Sequence, residues 1–378
     1  MRASLFLKLI QALSLCLLSV NAYSFQLKVI ADSLDYPWGF AFLDEHSVLV
    51  TEKSGHLKQL HLSSGTSQII ANSPKVVYDG QGGLLDVILH PNFDDTSWVY
   101  LSYSKKVANG YTTAVARGRL QGTTLQELED VLVTQAVNHN THHYGSRLAF
   151  DEQGFLYVSV GDRGNRDRAQ DLSTHMGKIL RIHEDGRIPD DNPFVDQAYA
   201  LPEIYSYGHR NPQGMVYDVQ NKALWIHEHG PRGGDELNLI QAGANYGWPV
   251  ITYGREYSGF KITDETHREG MLQPVWHWTP SIAPSGLTIY RGEVYPQFNG
   301  HFFIGALKYR LLAQLEVTNL SELTRMVREQ GISPVTALKE YRHLSNYGER
   351  IRDVEVSSDG FLYLLTDKSG GSIVKLLP

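Results

Sequence analysis

"SRLAFDEQGFLYVSVGD", residues 146–162, reads as two strands and a turn. A short apolar run ends at Phe150, residues 151–154 supply turn chemistry ending in Gly154, and four of the next six residues are β-branched or aromatic. The same pattern returns in "GFAFLDEHSVLVTEK" (39–53), "LLDVILHPNFDDTSWVYLSYS" (84–104), "GMVYDVQNKALWIHEHG" (214–230), "LTIYRGEVYPQFNGHFFIGAL" (287–307) and "DVEVSSDGFLYLLTD" (353–367), giving six copies. Strands at this density, with Asp-Gly, Asn-Gly and Gln-Gly turns and 34 glycines, describe an all-β chain. Irregular β units recurring every ~50–80 residues fit a six-bladed β-propeller of four-stranded antiparallel sheets. A pair of β-sandwiches would use the strands but gives the sixfold recurrence no reason. The last strand, "GSIVKLLP" (371–378), is expected to pair with N-terminal strand material and close the ring, since an open ring leaves a sheet edge bare. Helical periodicity is confined to short pieces such as "SELTRMVREQG" (321–331). No Pro- or Ser-rich linker divides the chain, so residues 23–378 are read as one domain.

The first 22 residues read as an address. Arg2 and Lys8 precede the apolar run "LIQALSLCLLSV", and "VNA" (20–22) offers the small residues a signal peptidase reads. The run is shorter than the ~20 residues of a membrane span, so cleavage near Ala22 and export are expected, to the periplasm of a Gram-negative host or to the medium. No later segment is long and apolar enough to insert stably in a membrane. The single cysteine, Cys16, lies inside this leader, so the mature chain has no disulfide, thiolate chemistry or cysteine-held zinc. A net charge of −7 and a pI of about 6.1, with no basic run, exclude a nucleic-acid surface and make any cationic pocket local.

Polar residues gather where strands of the repeats end: "DGQGGLLD" with Gln81, "HHYGSR" with His142 and His143, "GDRGNRDR" with Asp162, "GHRNPQG" with Arg210 and Asn211, "GALKYR" with Lys308 and "GERIRD" with Arg350 and Arg352. In a propeller these junctions converge on the axis, where a pocket forms. Adjacent residues of a strand face opposite ways, so His142 and His143 could chelate one metal only on irregular backbone. A single histidine facing a polar pocket is instead a proton acceptor, with Asp162 a plausible carboxylate to fix its tautomer. Arg210, Lys308, Arg350 and Arg352 would repel one another unless a multiply anionic ligand, carboxylate or phosphate, lay among them. "HGPRGGDELNLIQAGANYGWP" (229–249) could turn carbonyls toward a hard cation, with Asp235 and Glu236 close by, though it lacks the spaced ligands of an EF-hand.

Taken together, "HYGSRLAF", "VGDRG", "GHRNPQG", "EHGPRGGDELN", "ANYGWP", "PSIAPSG", "GALK" and "RIRDV" resemble the soluble quinoprotein sugar dehydrogenases, specifically the bacterial aldose sugar dehydrogenases that use pyrroloquinoline quinone (PQQ). The resemblance runs in order from "YPWGFAF" (36–42) to the final strands. It implies a six-bladed propeller that oxidises aldoses at C1 to the lactone and passes electrons to an external acceptor, a quinone or small redox protein. It further implies His143 as the base, Asp162 as its orienting partner, and Gln81 and Asn211 as contacts near the reacting carbonyl. Arg210, Lys308, Arg350 and Arg352 would hold the carboxylates of PQQ, and Tyr257 would line its pocket. Backbone carbonyls of Gly230 and Pro231 would hold a calcium at the quinone; Glu236 and the backbone of Tyr246 would hold a second, structural calcium. A monomer or weak dimer is expected. His142 stands where the glucose-oxidising branch carries an acidic residue, and Tyr309 and Arg310 alter the pocket rim. Two other functions share parts of this pattern: a calcium-dependent propeller lactonase or esterase, which needs no spread cations, and a non-catalytic sugar- or protein-binding propeller.

Overall fold

A computed structural model describes residues 24–330 and 338–378; the expected leader lies outside the described residues. Six four-stranded antiparallel sheets form a ring, the propeller expected from the repeats. Five blades are continuous in sequence, spanning 37–70, 84–133, 148–207, 212–278 and 284–343. The sixth takes three strands from 351–377, and Gln26–Asp35 adds as its outermost strand by pairing with Ser369–Leu377. The last strand thus closes the ring as its sequence implied, by pairing with the N-terminal strand.

Each blade carries apolar residues on both faces, because each is covered by a neighbour on either side. Six buried clusters lie between successive blades; one joins Leu49, Leu57 and Ile70 of the first blade to Leu84, Val99 and Leu101 of the second. The cluster that seals the ring puts Tyr363, Leu365 and Ile373 against Phe40, Val48 and Val50. Among the described residues the one substantial helix, Leu320–Gln330, falls on the segment with helical periodicity, begins with Asn319 Oδ1 accepting the Glu322 N–H at 3.0 Å, and buries Leu323 and Val327. Among the described residues no helix is long and apolar enough to cross a membrane.

The innermost strands position the site. Five of the six break register near their first residues, between Pro37 and Phe40, Leu84 and Val87, Pro212 and Gly214, Ser285 and Leu287, and Ile351 and Asp353. A bulge re-aims the side chain it carries. Trp38, Leu85, Gln213 and Arg352 lie on these irregularities, and all four line the cavity at the end of the ring.

Candidate active site

The sixth inner strand, Leu148–Phe150, is short and is preceded by a loop that replaces the bulge. His143, Gly145 and Ser146 all take left-handed φ values of 54°, 67° and 83°. Only Gly145 is free of a side-chain penalty there, and a Cβ on it would meet Ser159 O at 2.7 Å. The strained turn at His143 is held from two sides. Its N–H donates to Gln81 Oε1 at 2.8 Å, and the buried Arg163 donates to the carbonyls of His142 and Asn140. Arg163 also stacks 3.5 Å over Tyr144. His142 is not in a strand; its ring stands edge-on to His143 with centroids 4.7 Å apart. Among the described residues no group of three or more His, Cys, Asp or Glu is arranged to hold a metal.

His143 Nδ1 lies 2.6 Å from Asp162 Oδ1. The Gly164 N–H donates to the same oxygen at 2.8 Å, and Trp248 Nε1 donates to Oδ2 at 2.9 Å. Burial pushes the Asp162 carboxyl up, but the His143 bond and charge, Arg210 and the Gly164 N–H outweigh it and hold the pKa below the usual value. Burial pushes the His143 pKa down; the Asp162 hydrogen bond opposes this, while Arg210 and His142 add to it. An ionised Asp162 accepting from a neutral ring puts the ring hydrogen on Nδ1, which leaves Nε2 as the proton acceptor.

Protonated His143 cannot act as a base, and its lowered pKa keeps the neutral form to more acidic pH. The acid limb of a kcat/KM profile is therefore expected below the ordinary histidine midpoint of about 6.5. An acid limb above that midpoint would contradict the assignment.

Two chambers meet at Gln81, which lines both. One, of about 720 Å³, is lined by His142, His143, Asp162, Arg210, Pro231 and Tyr257, with Trp248 in its wall. The other, of about 760 Å³, is lined by six cations, Lys53, Lys308, Arg310, Arg350, Arg352 and Lys368, against one carboxylate, Asp367. Arg350 Nη2 and Arg352 Nη2 both donate to Asp367 Oδ2, at 2.7 and 3.0 Å, so two charges share one counterion. Lys368 finds a partner in Glu349 at 2.6 Å. Burial lowers the pKa of Arg352, with Asp367 opposing and Arg350 and Arg147 adding to it, and Arg352 Nε is buried without a hydrogen-bond partner among the described residues. Burial likewise lowers the Lys53 pKa, and Arg352 adds to it. Lys53 and Asp367 were not singled out in the sequence. Lys53 sits in a turn-like "EKSG" and Asp367 at a strand end, with no local pattern to distinguish either from solvated residues.

Several residues named from the resemblance stand apart from the chamber walls. Asn211 is buried behind them, its Oδ1 accepting from Gly145 N at 3.2 Å. The carbonyls of His229 and Gly230 converge on Arg210 Nη1 at 3.0 and 2.9 Å, so this turn already faces a positive charge. Pro231 lines the His143 chamber. Glu236 lies deeper, where Asn238 Nδ2 donates to it at 3.3 Å and to Glu228 at 3.4 Å. Burial and the Glu228 charge raise the Glu236 pKa well above the ordinary range, and Asn238 Oδ1 is buried with no partner among the described residues. Tyr246 is buried, its hydroxyl donating to Leu239 O at 2.6 Å. Tyr257 is 72% exposed, so it edges the chamber and does not form its floor.

The ring of six blades carries a histidine–carboxylate pair beside a cavity lined mostly by cations at one end. The chain belongs to the glucose/sorbosone dehydrogenase family, whose profile matches residues 34–375. Aldose sugar dehydrogenase YliI of Escherichia coli (strain K12) is 41% identical over 383 aligned residues, covering 100% of this chain and 99% of its own. The crystal structure of the soluble E. coli aldose sugar dehydrogenase in its apo form superposes with a TM-score of 0.87 at 40% identity, covering 94% of this chain and 100% of that one. The PQQ-bound form of an aldose sugar dehydrogenase from Streptomyces coelicolor gives a TM-score of 0.73 at 26% identity, covering 94% and 98%.

Proposed function

We propose that the protein oxidises aldose sugars at C1 to the lactone with PQQ and calcium, passing electrons to an external acceptor. The observation that carries this reading is the junction at Gln81 of a neutral-histidine chamber with a cavity holding six cations against one carboxylate. Such an excess, with a buried Arg352 Nε left unpaired, fits a ligand with several carboxylates. The PQQ-bound S. coelicolor relative supports the same choice. The turn at Gly230 and Pro231 offers backbone carbonyls, the oxygen ligands a hard cation takes, and calcium there would have to share the Gly230 oxygen with Arg210. The buried pair Glu236 and Glu228, beside the unpartnered Asn238 oxygen, fits a second. A lactonase would have no use for the clustered cations.

Lys308, Arg350 and Arg352 would hold the carboxylates, and Pro231 and Gly230 would hold calcium. When bound, PQQ would supply the hydride acceptor for C1 and calcium a Lewis acid beside it. His143 Nε2 takes the proton of the anomeric hydroxyl as the C1–H bond breaks. Asp162, fixed on Nδ1, stabilises the imidazolium that results. Gln81 holds the His143 backbone at the junction of the two chambers, so the base sits where sugar and cofactor would meet.

The test is reconstitution of the mature chain from residue 23 with PQQ, with and without calcium, following aldose-dependent reduction of a dye. Activity that needs both additions is expected; no activity with any aldose despite a folded chain would refute the reading. Lys308→Ala should weaken PQQ binding by ~1.5–3 kcal/mol, the loss of one charged hydrogen bond, with little change in kcat at saturation. Titration of quinone absorbance measures it. We also propose export with cleavage near Ala22, which N-terminal sequencing of protein from the native host checks.

A further inference from the structure

Asp162 has two oxygens, and they are held differently. Oδ1 receives His143 Nδ1 and the Gly164 N–H, at 2.6 and 2.8 Å. Oδ2 receives Trp248 Nε1 at 2.9 Å, its one hydrogen bond among the described residues. Without that donor a buried carboxylate would be left half satisfied, and nothing would stop it from turning about its Cβ–Cγ bond.

Trp248 is built to stay still. It is 8% exposed and comes from the fourth blade, 86 residues from Asp162 in sequence. Its N–H donates to Gly208 O at 2.9 Å, and its carbonyl accepts Gln170 Nε2 at 2.8 Å. Gln170 also exchanges two hydrogen bonds with Asn245, at 3.0 and 2.7 Å. Gln170 ends the 3-10 turn Arg166–Gln170 that follows Asp162, so the segment 162–170 is tied to Trp248 at both ends. Lys178, fully buried, holds the same turn by donating to the carbonyls of Arg168 and Ala169 at 3.1 and 3.0 Å.

We infer that Trp248 is a positioning residue for the base, acting through Asp162: its indole N–H pins Oδ2 so that Oδ1 stays aimed at His143 Nδ1. The inference rests on the aldose oxidation proposed above. Its consequence is that the indole nitrogen, and not only the ring's bulk, sets the turnover rate. Trp248→Phe removes that nitrogen and keeps an aromatic ring in the wall near Arg210, whose guanidinium lies 5.4 Å from the ring.

The experiment has two parts. In the chain without cofactor, proton NMR should show a sharp low-field resonance from the short His143–Asp162 bond, absent in His143→Gln, and Trp248→Phe should lose it. In the reconstituted enzyme, Trp248→Phe should bind PQQ like the wild type and lose kcat about ten- to hundredfold with KM little changed. On an Asp162→Asn background the same change should alter kcat by no more than about twofold, because Trp248 acts only through that carboxylate. Retention of the resonance, or losses that add in the double variant, overturns the inference. Should the Trp248→Phe chain not fold, Gln170→Leu, which frees the Trp248 carbonyl and Asn245, carries the same two readouts. Absence of aldose oxidation in the wild type would sink the proposed function, whereas the resonance comparison would still decide what Trp248 does.

Discussion

His143→Gln should reduce kcat by about a hundred- to ten-thousandfold, the range for removal of a general base, while leaving PQQ affinity near that of the wild type. The separation of effects follows from the two chambers. His143 lines the one with Asp162 and Tyr257; the six cations line the other. No carboxylate contact of the cofactor is assigned to the imidazole, so its loss removes proton acceptance and leaves the electrostatic grip. Glutamine also keeps a polar side chain beside Asp162, which avoids stranding a buried carboxylate. Stopped-flow reduction of bound quinone by sugar measures the chemical step, and absorbance titration measures binding. Lys308→Ala should show the opposite pattern. Equal loss of binding in both variants would dismantle this division of labour.

The blades were legible because each inner pair of strands is local: "FDEQGF" turns back on itself within six residues and needs no distant partner to be recognised. Ring closure was legible for a different reason, the cost of an open edge, and Gln26–Asp35 pairs with the last strand accordingly. His143 and Asp162 lie 19 residues apart, close enough for one blade junction to bring them together. What the sequence concealed depends on backbone irregularity. Trp38 and Gln213 read as ordinary strand residues until a register break turns them into the cavity. Trp248 and Arg163 act through hydrogen bonds to other residues' backbone or carboxylate, and a spacing pattern carries no trace of these. Asn211 shows the reverse: its motif names it a cofactor contact, yet its amide oxygen faces Gly145 within the wall. The motif fixes its place in the chain and leaves the direction of its side chain to the fold.

Arg147, in the middle of "HYGSRLAF", had no role in the sequence, yet its replacement should have the largest effect on stability. The side chain is 4% exposed and lies where the inner strands converge. Nη1 is 3.0 Å from Asp86 Oδ1 and Nη2 is 2.9 Å from Asp353 Oδ1, joining the inner strands of the second and sixth blades. Nε donates to Gln213 O at 2.9 Å and Nη2 to Arg352 O at 3.2 Å, and the guanidinium lies 4.3 Å over the Trp38 ring. Burial raises the Asp86 pKa to about 6 even with Arg147 opposing it, and burial raises Asp353 and Glu355 as well. Arg147→Met keeps the apolar volume but leaves these carboxylates without their cation, a loss of about 3–5 kcal/mol. The sign with pH is opposite to that of a surface pair. Carboxyls whose folded pKa is raised are accommodated when protonated, and their penalty grows as pH climbs from their unfolded pKa toward the folded one. Urea unfolding should therefore find the variant's deficit smaller at about pH 5 than at about pH 8. A deficit independent of pH would mean that lost packing over Trp38, and not uncompensated charge, sets the cost. Because Arg147 also holds the Arg352 carbonyl, PQQ binding should weaken along with stability, although Arg147 itself lines neither chamber.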